Sequence, residues 1–172
     1  NLCLAGGVAL NCVANGKILK EKIFENIWVQ PAAGDAGGSL GAALAYWHLE
    51  LKEERKVLKT DSMKGSYLGP EIKQIELERE LREIGANFKI LNESELMDFT
   101  TESLRNGDAV GWFQGRMEFG PRALGARSIL GDPRSEKMQK NLNLKVKYRE
   151  SFRPFAPSIL AKDKKDWFDI DS

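Results

Sequence analysis

Between Gly111 and Arg134 the chain cannot run straight for long, because Gly115, Gly120, Pro121, Gly125, Gly131 and Pro133 interrupt it every few residues. A hydrophobic strand, Ala109 to Phe113, leads in and breaks at Gly115. Four arginines follow, Arg116, Arg122, Arg127 and Arg134, placed among those turns. A surface helix would spread its arginines among glutamates and lysines. Here they sit on turning backbone that can approach a ligand closely. Guanidinium forks match the oxygens of phosphate and carboxylate, and glycine-rich turns expose backbone N–H groups to the same anions. The local reading is a polyanion or phosphate site. The competing reading, a loop whose arginines pair with acids elsewhere in the fold, stays open.

A chain of 172 residues can build one good core or two small ones. Its net charge of +1 gives the molecule no overall pull toward nucleic acid or a membrane surface. The charge is uneven, however. From Arg116 to Arg153 ten lysines and arginines stand against four acids, a local excess of six. Cys3, between two leucines, and Cys12, beside Val13, read as two buried free thiols in a reducing compartment. Neither lies in a CxxC pair, so zinc and redox motifs have no support. His48 is the only histidine, which rules out a two-histidine metal site made by this chain alone and argues against a Ser-His-Asp triad. No apolar run has the length of a membrane span and no signal peptide is visible, so a cytoplasmic location is expected. The chain opens at Asn1 with a strand already in progress and stops abruptly at Asp169–Ser172; we expect a fragment of a larger protein.

Taken in order, Leu2–Ala5 reads as a short strand, Gly6-Gly7 as a turn, and Val8 to about Lys22 as a helix with Asn11 and Asn15 on one face. Strand, Gly-Gly turn and helix can set backbone N–H groups against a nucleotide, or serve tight packing; the pattern alone fits both. Ile27–Gln30 is the next strand, and Ala42 to about Leu51 a helix carrying His48, read as packed or on the surface. Asp35, among glycines before that helix, suits either an N-terminal cap or a metal ligand. The charged run Lys52–Ser66 reads as a linker. Glu71–Ile84 is an amphipathic helix, Phe88–Leu91 a strand, and Asn92–Asn106 a capped helix. Ser135 to about Leu142 is helical, Lys145–Arg153 a basic loop, Pro154–Leu160 a buried extended piece, and Ala161 the start of a polar helix. Strands and helices alternate, so the class is α/β.

Four runs together carry a resemblance that none carries alone. They are Asn1-Leu-Cys-Leu-Ala-Gly-Gly-Val-Ala-Leu-Asn-Cys12 through Gly16, Trp28-Val-Gln-Pro-Ala-Ala-Gly-Asp-Ala-Gly-Gly38, the run Phe113–Arg134, and Lys145-Val-Lys-Tyr-Arg-Glu-Ser-Phe-Arg-Pro-Phe-Ala-Pro157. The chain resembles the O-carbamoyltransferase family of nodulation-type and antibiotic-tailoring enzymes over nearly its whole length.

The resemblance implies the end of an actin-like domain, of the sugar-kinase and heat-shock-chaperone type, in residues 1–54, a linker over 55–66, and the first part of a YrdC-like domain in 67–172. Such an enzyme makes carbamoyl-adenylate from ATP and carbamoyl phosphate and moves the carbamoyl group to the hydroxyl of a small acceptor. Gly6, Gly7 and Asn11 would lie near nucleotide, and Asp35 matches the aspartate of an iron-type divalent metal site, a role that now leads over the cap. Arg116, Arg122, Arg127, Lys145 and Arg153 would do the catalytic charge stabilisation, with Glu118, Gly120, Ser128, Arg134 and Arg149 as further nucleotide or carbamoyl-phosphate contacts. Charge-assisted bonds of that kind contribute roughly 1.5–3 kcal/mol each. The family's upstream histidine ligands have no counterpart here, so the chain alone is not expected to complete transfer.

Two other readings compete. One is a non-catalytic nucleotide- or phosphate-binding module. The other is an RNA-binding domain using the arginine cluster with Trp112, Phe113 and Tyr148, against which the near-neutral charge counts, so no nucleic-acid and no membrane partner is expected. A truncated actin-like domain would expose apolar surface, so self-association is expected.

Overall fold

The structure is a computed structural model describing residues 1–169; residues 170–172, which close the 67–172 domain reading, lie outside the described residues. Strands β1 (Leu2–Leu4) and β2 (Ile27–Val29) pair in parallel, Leu2 opposite Ile27 and Leu4 opposite Val29. Parallel neighbours need a crossover, and helix α1 (Cys12–Lys20) supplies it. The single helix expected from Val8 is broken at Asn11. A 3-10 turn covers Gly7–Leu10, and Asn11 then caps α1, its Oδ1 accepting from the Ala14 amide at 3.1 Å. Asn15 reaches back to donate to the Ala9 carbonyl at 2.7 Å.

Helix α2 (Asp35–Ala45) begins well before the expected Ala42 and runs on as a π-helical turn, Tyr46–Glu50. Its cap is Gly34, and no side chain closes it. Asp35 is the first helical residue, so the cap reading fails; the carboxylate can favour the helix only through the N-terminal dipole. His48 lies in the π turn, half-buried, with Nδ1 2.8 Å from the Glu53 carbonyl oxygen. Leu44, Tyr46, Trp47, Leu49 and Leu51 are all exposed, so this apolar helix has no cover within its own unit. The thiols of Cys3 and Cys12 are free as expected but exposed, not buried. Cys3 is the middle residue of β1, on the open side of a sheet only two strands wide.

Helices α3 (Gln74–Glu83) and α4 (Glu93–Arg105) follow; Asn92 and Glu95 form a reciprocal capping box on α4. The strand expected over Phe88–Leu91 does not form, and Ile90 and Leu91 stay exposed. Strands β3 (Val110–Phe113) and β4 (Arg127–Leu130) pair in a second two-stranded sheet. The second of them was not expected from sequence. Helix α5 (Met138–Asn141) continues as a π turn, Leu142–Val146, and α6 is Lys164–Trp167. Mixed helices and small sheets bear out the α/β class at that level.

Two compact units result, Asn1–Phe88 with Trp112–Ser128 and Lys89–Gly111 with Ile129–Ser172. The first is cored by small side chains, Ala9, Ala32, Ala33 and Ala126, with Ser66 and Glu118. Small residues let backbones meet. A Cβ on Gly120 (φ 136°) would come within 3.2 Å of the Ala32 Cα and the Pro31 carbonyl oxygen, so the arginine loop lies directly on the turn after β2. The second unit buries Thr100, Met138, Leu142 and Asn143, with Gly131 closed by the side chains of Met138 and Leu142.

Candidate anion-binding site

In the first unit the chain between β3 and β4 is a loop held from inside by one carboxylate. Glu118 is buried, and its Oε1 accepts from the amides of Leu124 at 2.7 Å, Ala126 at 2.8 Å and Arg127 at 3.4 Å. Burial alone would push its carboxyl up, but the amides of Leu124, Glu118 itself, Ala126 and Arg127 outweigh it, and the net shift is downward. Ser128 adds a bond of the same sense, its Oγ accepting from the Gly125 amide at 3.1 Å.

From outside, residues 66–70 run along the loop. The Phe119 amide donates to the Ser66 carbonyl at 2.7 Å, Met117 exchanges two bonds with Gly69 and Pro70, and the Tyr67 hydroxyl donates to the Leu124 carbonyl at 2.6 Å. Gly69 is required there: a Cβ would sit 2.8 Å from the Met117 oxygen. Ser66, the last residue of the linker reading, is buried at φ 72° with its Oγ unpartnered. Brace and loop enclose an open cavity of about 240 Å³ lined by Tyr67, Gln114, Gly115, Arg116 and Ala126.

Arg116 is exposed at this cavity and makes one long bond, 3.4 Å to the Leu68 carbonyl, which leaves most of its fork for a ligand. Arg127 differs. It donates to the carbonyls of Gln114 and Ala126 at 2.9 Å and of Gly115 at 3.2 Å, and its Cζ lies 3.4 Å from the Phe113 ring centroid. It staples the two ends of the loop, so an anion meets only its remaining donors. Arg122 is exposed and, among the described residues, makes no hydrogen bond or ion pair.

The second unit holds the other basic residues. Arg134 makes a close pair with Asp132, whose carboxyl falls to about 2 through side-chain and backbone bonds from Arg134 and its charge. Arg153 pairs with Glu150 at 2.8 Å. These two follow the competing reading, arginines matched by acids. Arg149 donates through Nε to Asn143 Oδ1 at 2.7 Å and lies over the Phe155 ring, 5.0 Å from its centroid. Lys145 is exposed in the π turn Leu142–Val146.

The early residues are turned to structural work. Gly6 (φ 89°) gives its amide to the Ala33 carbonyl at 2.6 Å, Gly7 starts the 3-10 turn, and Asn11 is a cap. Asp35 is exposed, and among the described residues no three His, Cys, Asp or Glu side chains converge on it or elsewhere. The donor set among the described residues does not by itself make a metal site. Sequence reasoning missed Tyr67, Gln114, Gln139, Asn143 and Phe155. Only Gln114 carried a signal, a polar residue closing an apolar strand just before a glycine.

Residues 1–44 match the family model of the carbamoyltransferase N-terminus, and residues 101–172 that of the carbamoyltransferase C-terminus. The chain belongs to the carbamoyltransferase family. An uncharacterized protein of Synechocystis sp. is 59% identical over 99% of this chain and 28% of its own length. Nodulation protein NolO of Bradyrhizobium diazoefficiens is 44% identical over 98% of the chain and 30% of its own length; for nodulation protein NolNO of Sinorhizobium fredii the figures are 44%, 98% and 24%. The chain therefore spans less than a third of the length of these relatives. Both arginine-bearing segments fall inside the part matched to the carbamoyltransferase C-terminus, and Gly6, Gly7, Asn11 and Asp35 inside the part matched to the N-terminus.

Proposed function

We propose that this chain is the phosphate-handling part of a carbamoyltransferase that forms carbamoyl-adenylate from ATP and carbamoyl phosphate and passes the carbamoyl group to a small-molecule hydroxyl. On this reading residues 1–54 end an actin-like domain and residues 67–172 begin a YrdC-like one. The observation that carries it is Arg116, exposed at an open cavity of about 240 Å³ between Tyr67, Gln114 and Gly115 with its fork nearly free. An arginine in that state is suited to a phosphate oxygen pair. In the same unit Arg122 makes no hydrogen bond or ion pair among the described residues; in the second unit, taken by itself, Arg149 offers a braced fork. Charge building on a phosphate that leaves is the kind such groups stabilise. Because adenylation activates the carbonyl, no side-chain nucleophile is needed, and the exposed thiols of Cys3 and Cys12 have no part in it. The need for ATP and carbamoyl phosphate implies a cytoplasmic setting; the metal, if Asp35 serves one, takes its other ligands from outside the described residues.

The test is calorimetric titration of the chain with carbamoyl phosphate and with ATP at fixed ionic strength, beside Arg116→Ala and Arg122→Ala. Saturable binding that Arg116→Ala weakens about tenfold or more is expected, corresponding to one charge-assisted contact. Binding by the folded chain that neither substitution alters would remove the cavity from the reading.

A further inference from the structure

The most deeply buried polar side chain of the second unit belongs to a residue with no part in the phosphate reading above. Asn143 has no exposed surface and sits in the π turn after α5. Its Nδ2 donates to the carbonyls of Ser151 at 3.1 Å and Arg153 at 2.8 Å, and its Oδ1 accepts from Arg149 Nε at 2.7 Å. Its main-chain oxygen also accepts the Arg149 amide, at 3.0 Å. The guanidinium of Arg149 is thus fixed along one edge by Asn143 and across one face by Phe155. Among the described residues no further hydrogen bond engages its two terminal nitrogens, and the neighbouring carboxylate of Glu150 is paired with Arg153. Just before it Tyr148 holds a left-handed φ of 49°, a conformation that a bulky residue keeps only where its surroundings over-determine it. The double hold of Asn143 on Arg149 is such a constraint.

We infer that Asn143 is a positioning residue that presets the Arg149 guanidinium as a rigid fork for a phosphate-type anion. This rests on the anion-binding reading of the chain. A free arginine loses rotamer freedom when it grips a ligand, and a fork fixed beforehand has already lost it. Gln139 separates this role from plain scaffolding. It donates to the carbonyls of Phe152 and Arg153, holding the same segment without touching the guanidinium.

The experiment is calorimetric titration of the chain with pyrophosphate at fixed ionic strength, for wild type, Asn143→Ala, Arg149→Ala, the double variant and Gln139→Ala, with the Arg149 Nε–H resonance followed by NMR. Asn143→Ala is expected to weaken pyrophosphate roughly five- to tenfold, to add nothing once Arg149 is alanine, and to abolish the slowly exchanging Nε–H signal. Gln139→Ala should lower thermal stability yet keep both the affinity and the signal. If Asn143→Ala does not fold, Arg149→Lys takes its place: it keeps the positive charge but lacks the Nε–H fork that Asn143 holds, so pyrophosphate should weaken nearly as in Arg149→Ala, whereas binding equal to wild type would overturn the need for a preset fork. Unchanged affinity in Asn143→Ala, or losses that simply add in the double variant, would overturn the positioning role and leave the anion site standing. An Arg149→Ala variant that binds as wild type removes Arg149 from the site and this inference with it. A folded wild-type chain that binds no pyrophosphate overturns the anion reading itself.

Discussion

The loop between β3 and β4 and the segment after α5 solve the same problem with opposite chemistry. Each presents arginine on irregular backbone, and each is held by a buried polar side chain. In the first, Glu118 gathers backbone N–H groups onto one carboxylate oxygen. In the second, the amide groups of Asn143 and Gln139 gather backbone carbonyls. A carboxylate can only accept and is charged; a carboxamide donates and is neutral at every ordinary pH. The first loop therefore has its amides turned inward by a titratable group, and the second its carbonyls turned inward by groups that do not titrate. Irregular backbone with this degree of internal satisfaction is rigid enough to aim a side chain without a helix or strand beneath it.

The largest effect should come from breaking the charged side of this contrast. Glu118→Ala strips the acceptor from amides that the loop buries, and an unsatisfied buried donor costs about 1–3 kcal/mol, so a loss on the order of 3 kcal/mol is expected for the loop as a whole. Glu118→Gln keeps an acceptor oxygen and should lose less. Hydrogen exchange reads this directly: the amides of Leu124 and Ala126 lose protection in Glu118→Ala, while the Arg149 amide, bonded to the Asn143 carbonyl, does not. Protection of Leu124 and Ala126 that survives the substitution would dissolve the comparison.

Acid should separate the two regions more gently. The Glu118 carboxyl is lowered in the folded chain from an ordinary value of 4.5. Its stabilisation is fully present above that value and is lost as pH falls through the lower folded one. Leu124 and Ala126 should therefore lose protection with falling pH before the Arg149 amide does. Glu150 qualifies the contrast, since its carboxyl is also lowered, by its own backbone amide and then by Arg153 and Arg149. Its protonation releases the ion pair with Arg153 but touches none of the bonds made by Asn143. Equal acid sensitivity of the two amides would mean that Glu150, not Asn143, holds the second segment.

What was legible in the sequence follows the range of the forces concerned. Local signals are legible: the capping residue Asn92 and early acids that open α4, the amphipathic run that forms α3, and the glycine-broken arginine stretch. Long-range contacts are not. An acid beside arginines, as Glu118 is, gives no hint that amides six to nine residues away will bond to its carboxylate. Nothing in Lys52–Ser66 announces that its last residue packs against Phe119, and β4 is a strand only because β3 lies beside it. Phe88–Leu91 had the composition of a strand and found no partner. The family strings identified the chain where single motifs were weak, since long ordered matches multiply small probabilities.

Arg134 supplies the smallest effect and a useful boundary. Its guanidinium lies 2.6 Å from Asp132, whose side chain is mostly covered, yet its own side chain is largely exposed. A short contact at the surface is screened by water and salt and gives little net stability. Arg134→Ala should therefore leave the unfolding transition at neutral pH unchanged within error, in contrast to Glu118→Ala. It should nonetheless let the Asp132 carboxyl climb from about 2 back toward 3.8, followed by NMR titration of its side-chain carbonyl carbon. The sign is fixed by linkage: a lowered carboxyl stabilises above 3.8 and loses that contribution between 3.8 and about 2, so whatever small difference the screened pair makes lies at neutral pH and vanishes in strongly acid solution. A clear loss of stability at neutral pH would show that the Asp132–Arg134 pair braces the turn after β4 as firmly as Glu118 braces the loop before it, and burial would no longer distinguish an arginine that shapes the chain from one that merely finds an acid nearby.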